Sequence, residues 1–195
     1  MFAFAMTVPS SLSGRQDGMT DTCIRKIAAG DQAALAELYE QTHAAVYSFA
    51  LSILKNRQDA EDVVQDTYIQ IWNAAGGYTS EGKPLAWIFT IARNLARMRI
   101  RAQSRTVAVA PEDWQSLFSD EPAVTPEDRL LLAALLETLS DEERQILVLH
   151  IMTGLKHREI AELLNLKLNT VLVKHSRALK KLRSVLKEAN GNDGS

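Results

Sequence analysis

The 195-residue chain is poor in cysteine, in proline and in long apolar runs, and each shortage removes a class of protein. A single cysteine, Cys23, rules out a disulfide framework and supplies no thiolate set for a structural zinc site. The four histidines, His43, His150, His157 and His175, fall at no His-x-x-x-His or related spacing. His150 and His157 could approach across a helical hairpin, but no metal and no cofactor is expected. No stretch reaches the roughly 18 apolar residues of a membrane span, and the apolar opening MFAFAMTVPSSLSG lacks the basic segment and long hydrophobic core of a secretion signal. A cytoplasmic chain with no direct membrane insertion is the expectation. Glycine loops that cradle phosphate are missing too. Asp62 and Asp66 lie one helical turn apart, yet no nucleophile or ligand cluster accompanies them, so no enzyme is expected.

What the chain has is segregated charge. The net charge of -2 conceals acid-free basic stretches and a basic-poor acidic one. From Gly82 to Pro111 there is no Asp or Glu, while Arg93, Arg97, Arg99, Arg101 and Arg105 recur. From Glu112 to Glu143 carboxylates dominate, with Arg129 alone against them. From Lys167 to Lys187 acids vanish again, and Lys174, Arg177, Lys180, Lys181 and Arg183 occupy the interval. A near-neutral total therefore does not exclude nucleic acid.

The C-terminal basic stretch ends a helix-turn-helix pattern. Ser140 and Glu143 form a capping box, Ile146, Leu147, Leu149, Ile151 and Met152 supply an apolar stripe, and Gly154 suits the left-handed exit. A short helix over His157–Leu164 presents Ile160, Ala161, Leu163 and Leu164 to that stripe. After the break Asn165-Leu166-Lys167, a longer helix opens near Asn169 and runs through Leu186. Such a pair can seat its second helix in a major groove, with cations neutralising phosphates. Leu172 and Val173 offer apolar contact to thymine methyls, and Lys174 and Arg177 are the stronger polar candidates. A helical hairpin with a solvated basic face is the competing reading.

Upstream, helices are expected at about Asp21–Ala29, Gln32–Leu54, from Asp59 and after Pro84, separated by Gly30-Asp31 and by Lys55-Asn56-Arg57. Asp59 is expected to cap the acidic helix, with Val64, Tyr68, Ile71 and Trp72 inward and Glu61, Asp62, Gln65 and Asp66 outward. That outward face is either simply solvated or a docking surface for a basic partner. In PLAWIFTIARNLARMRIRAQSR, Leu85, Ile88, Ile91, Ala92, Leu95 and Ala96 keep helical spacing. Trp87 and Phe89 read as core or as base-stacking groups beside the arginines, and the loop Ala74–Lys83, with Tyr78, reads as the better base-capturing pocket. The fold class is all-α: two small helical domains, residues 20–102 and 129–187, joined by a flexible acidic linker, 103–128. The extension 1–19 and the tail 188–195 are expected to be disordered.

Three blocks in order resemble the extracytoplasmic-function (ECF) class of bacterial sigma factors. They are LYEQTHAAVYSFALSILKNRQDAEDVVQDTYIQIW, PLAWIFTIARNLARMRIR, and LSDEERQILVLHIMTGLKHREIAELLNL followed by NTVLVKHSRALKKLR. The resemblance implies a non-catalytic initiation subunit of RNA polymerase that recognises minus-10 and minus-35 promoter elements and assists melting. It implies that Asp59, Glu61, Asp62, Gln65 and Asp66 dock the beta-prime coiled coil of core RNA polymerase, and that the C-terminal domain meets the beta flap. Minus-10 DNA would meet Tyr78, Lys83, Trp87, Arg93, Asn94, Arg97 and Arg101. Minus-35 DNA would meet Lys167, Asn169, Thr170, Lys174, Arg177 and Lys181. An anti-sigma factor is the implied regulator. Two departures stand out: Met98 where the family usually has Asp, and Leu172-Val173 where many relatives carry polar residues. An autonomous helix-turn-helix regulator, binding as a symmetric dimer, is the alternative.

Overall fold

The computed structural model describes residues 10–103, 134 and 136–191, and among these residues there are helices and turns but no strand. The first domain holds α1 (Ser10–Ala28), α2 (Gln32–Leu54), α3 (Arg57–Ala74) and α4 (Pro84–Gln103), with a 3-10 turn at Ala75–Gly77 after α3. The second holds α5 (Asp141–Thr153), α6 (His157–Leu164) and α7 (Leu168–Gly191). The linker expected over 103–128 lies outside the described residues, apart from Gln103 at the end of α4.

Local chemistry places the boundaries. Asp31 caps α2 by accepting from the Ala33 and Ala34 amides, and α2 ends where Lys55 turns left-handed at φ 55°. The acidic helix starts at Arg57, not Asp59. Asn56 is its cap, its side chain accepting from the Asp59 amide, which leaves Asp59 inside the first turn to favour the helix dipole. Ser140 and Glu143 complete the expected capping box on α5, Gly154 leaves it at φ 69°, and Asn165 leaves α6 at φ 56°. α1 begins at Ser10, well before the expected Asp21 and within the extension expected to be disordered. α7 likewise runs to Gly191, into the expected tail. Both extensions continue helices that are already docked, and adding a turn to an existing helix avoids the costly nucleation step.

The two domains share their apolar interior. One cluster joins Ile24, Leu38, Val46, Phe49, Ile88 and Phe89 of the first domain to Ile146, Leu149, Ile160 and Val171 of the second. Another joins Ala50, Leu51, Val63 and Ala96 to Leu139, Leu147, Ala178 and Leu182. α2 lies at the centre of this arrangement, packed on α1, α3 and α4 and also on α5. Phe49 and Phe89 meet edge to face at 5.5 Å inside it. Two buried polar groups bridge elements of this interior: Tyr68 reaches the Thr42 hydroxyl at 2.7 Å, and the Arg144 guanidinium donates to the carbonyls of Leu136 and Leu139, both at 2.9 Å. Arg144 thereby ties the approach into α5 to the helix itself.

Glu143 is also buried, and burial pushes its carboxyl upward. The Lys181 ammonium at 2.7 Å and the Ser140 amide and hydroxyl outweigh that and hold it below its ordinary value. A carboxyl depressed by folding contributes stability above its unfolded pKa and loses that contribution as pH falls through the folded one. Glu143→Gln is therefore expected to flatten the acid limb of stability against pH. Ser140→Ala is expected to cost about 1 kcal/mol at neutral pH by removing the cap. Urea unfolding followed by circular dichroism across pH measures both, and an unchanged acid limb in Glu143→Gln would contradict the account.

Candidate nucleic-acid interface

On α3 the apolar side goes where the pattern placed it. Val64, Tyr68 and Ile71 are buried and Trp72 is half-buried, together with Val63 and Thr67, which the stripe did not include. Glu61, Gln65 and Asp66 are exposed, and Ile69 and Gln70 continue that face. Asp59 and Asp62 differ from them because both accept from the Arg99 guanidinium of α4, Asp59 at 2.8 Å, and both are half-buried. Arg57 pairs with Glu61 at 2.8 Å. Two of the five residues singled out for docking thus also lock α3 to α4. Spacing within α3 could not reveal this, because Arg99 lies about 40 residues away.

The loop after α3 is pinned to α1. Tyr78 donates its hydroxyl to Asp21 at 2.9 Å, and Arg25 pairs with the same carboxylate at 2.6 Å. Burial and the neighbouring Asp21 push the Tyr78 phenol up to about 12, while the Ser80 hydroxyl, with Tyr78 and Arg25, holds Asp21 below its ordinary value. The Tyr78 ring stacks at a tilt on Trp87, centroids 4.9 Å apart. Gly82 turns the chain at φ 71°, a region other residues rarely adopt, and delivers it to Pro84 at the start of α4. Phe89 is fully buried, so of the two aromatics on α4 only Trp87 is available to a ligand.

Tyr78, Lys83, Trp87 and Arg93 line one side of a cleft of about 530 Å³, and Glu159, Glu162 and Leu163 of α6 line the other. Lys83 pairs with Glu162 at 2.8 Å, and Arg93 donates to the Leu164 carbonyl at 2.7 Å. Asn94, Arg97 and Arg101 are exposed farther along α4. Four of the seven residues singled out for minus-10 DNA therefore converge on one cleft, and the second domain covers it. Glu162 and the end of α6 were not among the sequence candidates, since their pairing spans the gap between the domains.

α7 begins one residue before Asn169. Lys167, Asn169 and Arg177 are exposed, with Leu168, Leu172 and Val173 also outward, so the apolar pair departing from many relatives does sit on the open face. Val171, Ala178 and Leu182 are buried on the opposite side. Thr170, Lys174 and Lys181 are half-buried. Lys174 pairs with Glu142 at 3.0 Å, and Lys181 pairs with Glu143 at 2.7 Å. Arg177, with Lys180 and Arg183, is thus the open cationic part of the helix, whereas Lys174 is partly engaged by α5.

His175 stands on the same helix, half-buried against His150 of α5 and His157 of α6. Burial and the other two rings push the His175 imidazole down to about 4, and burial, with His150, also lowers His157, so both rings are neutral at neutral pH.

Residues 38–106 match the family model Sigma-70 region 2, and residues 129–182 match Sigma-70, region 4. The chain is similar to ECF RNA polymerase sigma factor SigK of Mycobacterium tuberculosis, 31% identical over 188 residues that span 93% of this chain and 98% of that protein. SigK of Mycobacterium ulcerans is 29% identical over 180 residues, spanning 89% and 96%. Among solved structures, CnrH in complex with the cytosolic domain of CnrY aligns with a TM-score of 0.61 at 25% identity, covering 87% of this chain and 98% of that one. The sigma factor RpoE in complex with the anti-sigma factor NepR from Bartonella quintana aligns with a TM-score of 0.58 at 24% identity, over 78% and 96%, a likeness of fold alone. With both sigma-70 regions matched in order, and SigK related to it along nearly its whole length, the chain belongs to the ECF family of RNA polymerase sigma factors.

Proposed function

We propose that this chain is a dissociable initiation subunit that carries core RNA polymerase to promoters, reads their minus-10 and minus-35 elements and assists melting. The observation that carries this reading is the end-to-end likeness to SigK, with region 2 preceding region 4. That order favours an initiation factor over an autonomous helix-turn-helix regulator, for which a polymerase-docking domain would have no use.

The roles divide by surface. The open part of α3, with Glu61, Gln65 and Asp66, meets the beta-prime coiled coil, and Asp59 and Asp62 keep that face rigid through Arg99. The loop ending at Lys83, with Tyr78 and Trp87, accepts an unstacked base, while Arg93, Asn94, Arg97 and Arg101 follow the backbone. Holding the displaced strand offsets the few kcal/mol lost at each unstacked step. α7 enters the major groove through Lys167, Asn169, Thr170, Lys174, Arg177 and Lys181, and the second domain rests on the beta flap. Phosphodiester chemistry belongs to the polymerase, and the site of action is the cytoplasm.

In the free chain α6 forms the far wall of the minus-10 cleft and engages Lys83 and Arg93, so promoter binding requires the domains to part. Individual exposed ion pairs contribute little, which makes the polar part of this closure easy to exchange for polymerase and DNA contacts. The regulator that fits is an anti-sigma factor that holds both domains away from the polymerase.

Transcription with purified chain, sigma-free core polymerase and promoters from the chain's own genome tests the proposal. Transcripts with defined starts are expected only when the chain is added; absence of both transcripts and core binding would overturn it. Gln65→Lys with Asp66→Lys spares the Arg99 pairs and is expected to lower core capture roughly tenfold, the equivalent of about 1.4 kcal/mol. Lys174→Ala with Arg177→Ala is expected to lower minus-35-dependent initiation while core capture holds. Its salt dependence should weaken by about one unit of slope per lost phosphate contact. Equal losses in capture and initiation for the second pair would contradict its promoter-reading role.

A further inference from the structure

Three of the four histidines, dispersed along the chain as His150, His157 and His175, come together in the second domain. Each belongs to a different helix, α5, α6 and α7, and each contributes a ring nitrogen within 4.8 Å of the others. The ring centroids are 4.6–4.8 Å apart in every pairing. We propose that His150, His157 and His175 form a binding site for a tetrahedral divalent transition-metal ion of the zinc type, clamping the three helices of the promoter-reading domain together.

The hydrogen bonds prepare the site. His150 Nδ1 lies 3.0 Å from the Leu155 carbonyl, which can only accept, so the ring proton sits on Nδ1 and Nε2 presents a lone pair. A metal-bound histidine commonly donates its other ring nitrogen to such an acceptor, which orients the ring and raises its basicity. His157 Nε2 and His175 Nδ1 are 3.1 Å apart. Two nitrogens on one tetrahedral ion, with bonds of about 2.0–2.1 Å, are separated by roughly 3.4 Å. An ion between them replaces the shared proton, which moves to the other nitrogen of its own ring, and both imidazoles remain neutral. All three rings are half-buried: sheltered enough to be held in place and open enough to admit an ion and a water as fourth ligand.

Spacing alone brings only His150 and His157 within reach across the hairpin, since neither a His-x-x-x-His pattern nor cysteine is involved, and His175 joins them when α7 folds across it. Its position has a functional consequence. His175 follows Lys174 directly and precedes Arg177 by two residues, so an ion there sets the position of the reading helix against α5 and α6. Metal occupancy would thereby couple to minus-35 recognition. This coupling rests on the promoter-reading role of α7, whereas ion binding itself does not, and the two are measured separately.

The experiment uses the full chain freed of metal by a chelator and titrated with Co²⁺. Visible ligand-field bands of tetrahedral intensity are expected to saturate at one equivalent and to be displaced by Zn²⁺, with a rise in Tm on adding Zn²⁺. His150→Gln, His157→Gln and His175→Gln should each weaken binding beyond the roughly 10–100-fold that loss of an outer-shell partner costs, and His43→Gln should leave it unchanged. Imidazole ¹⁵N spectra of the unmutated chain locate the ion even if a variant fails to fold: Zn²⁺ should shift His150, His157 and His175 and not His43. Absence of a saturable Co²⁺ spectrum and of a Zn²⁺ shift in Tm, or imidazole shifts confined to His43, would overturn the site. If the ion binds as expected, minus-35 DNA affinity with and without Zn²⁺ then reports the coupling.

Discussion

The constraint on which the arrangement depends is self-neutralisation of charge. Two segments rich in cations, α4 and α7, fold into one small molecule, and bringing them together would be repulsive without acids between them. The second domain supplies those acids. Glu162 takes Lys83, Glu142 takes Lys174 and Glu143 takes Lys181, while Asp59 and Asp62 of α3 take Arg99. Lys83, Lys174 and Lys181 are among the cations proposed for nucleic acid, so free and promoter-bound chains would compete for them, while Arg97, Arg101 and Arg177 stay open. The more exposed pairs, Lys83 with Glu162 and Lys174 with Glu142, are weak in solvent and therefore exchangeable, whereas buried Glu143 and sheltered Asp59 hold their partners as part of the fold.

Apolar packing supplies what the ion pairs do not. α2 carries the first domain on three sides and receives α5 on the other, so the position of the helix-turn-helix over the cleft follows from a shared interior. Lys55 reinforces the contact by reaching Asp141 at 2.6 Å, at the point where α2 ends and α5 begins. A polymerase that separates the domains must cover the apolar surface so exposed, and an anti-sigma factor could use the same surface to prevent it. Leu168, Leu172 and Val173 already stand outward in the free chain, where the proposed reading of α7 would set them against thymine methyls in the groove.

Elements set by neighbouring residues were legible in the sequence, and contacts between distant ones were not. α2 and α6 carry their limits in local chemistry: Asp31 and Asn165 act within a turn of the residues they affect. The capping box at Ser140 and the glycine exit at Gly154 are visible for the same reason. The cap expected at Asp59 is instead Asn56, since both side chains accept hydrogen bonds and only geometry shows which one reaches a free amide. The ends of α1 and α7 carry no stop signal in the body of the helix, and helix continues there. At the candidate site, the residue types were readable from charge and family resemblance. Their occupancy was not: Asp21 on Tyr78, Glu162 on Lys83 and the Leu164 carbonyl on Arg93 are set by tertiary packing. The histidine cluster belongs to the same class, since three helices must assemble before the rings can meet.

Distance between the domains tests the central claim, that the chain is closed when free and opens to initiate. Thr90 on α4 and Arg158 on α6 are both exposed, and Cys23 is buried, so paired dyes can be placed at Thr90→Cys and Arg158→Cys, with Cys23→Ser as a safeguard. Energy transfer should be high in the free chain and fall when core polymerase and promoter DNA are added together. Transfer that stays high in a complex active in transcription would contradict the account, because the cleft would then be covered while the promoter is in use.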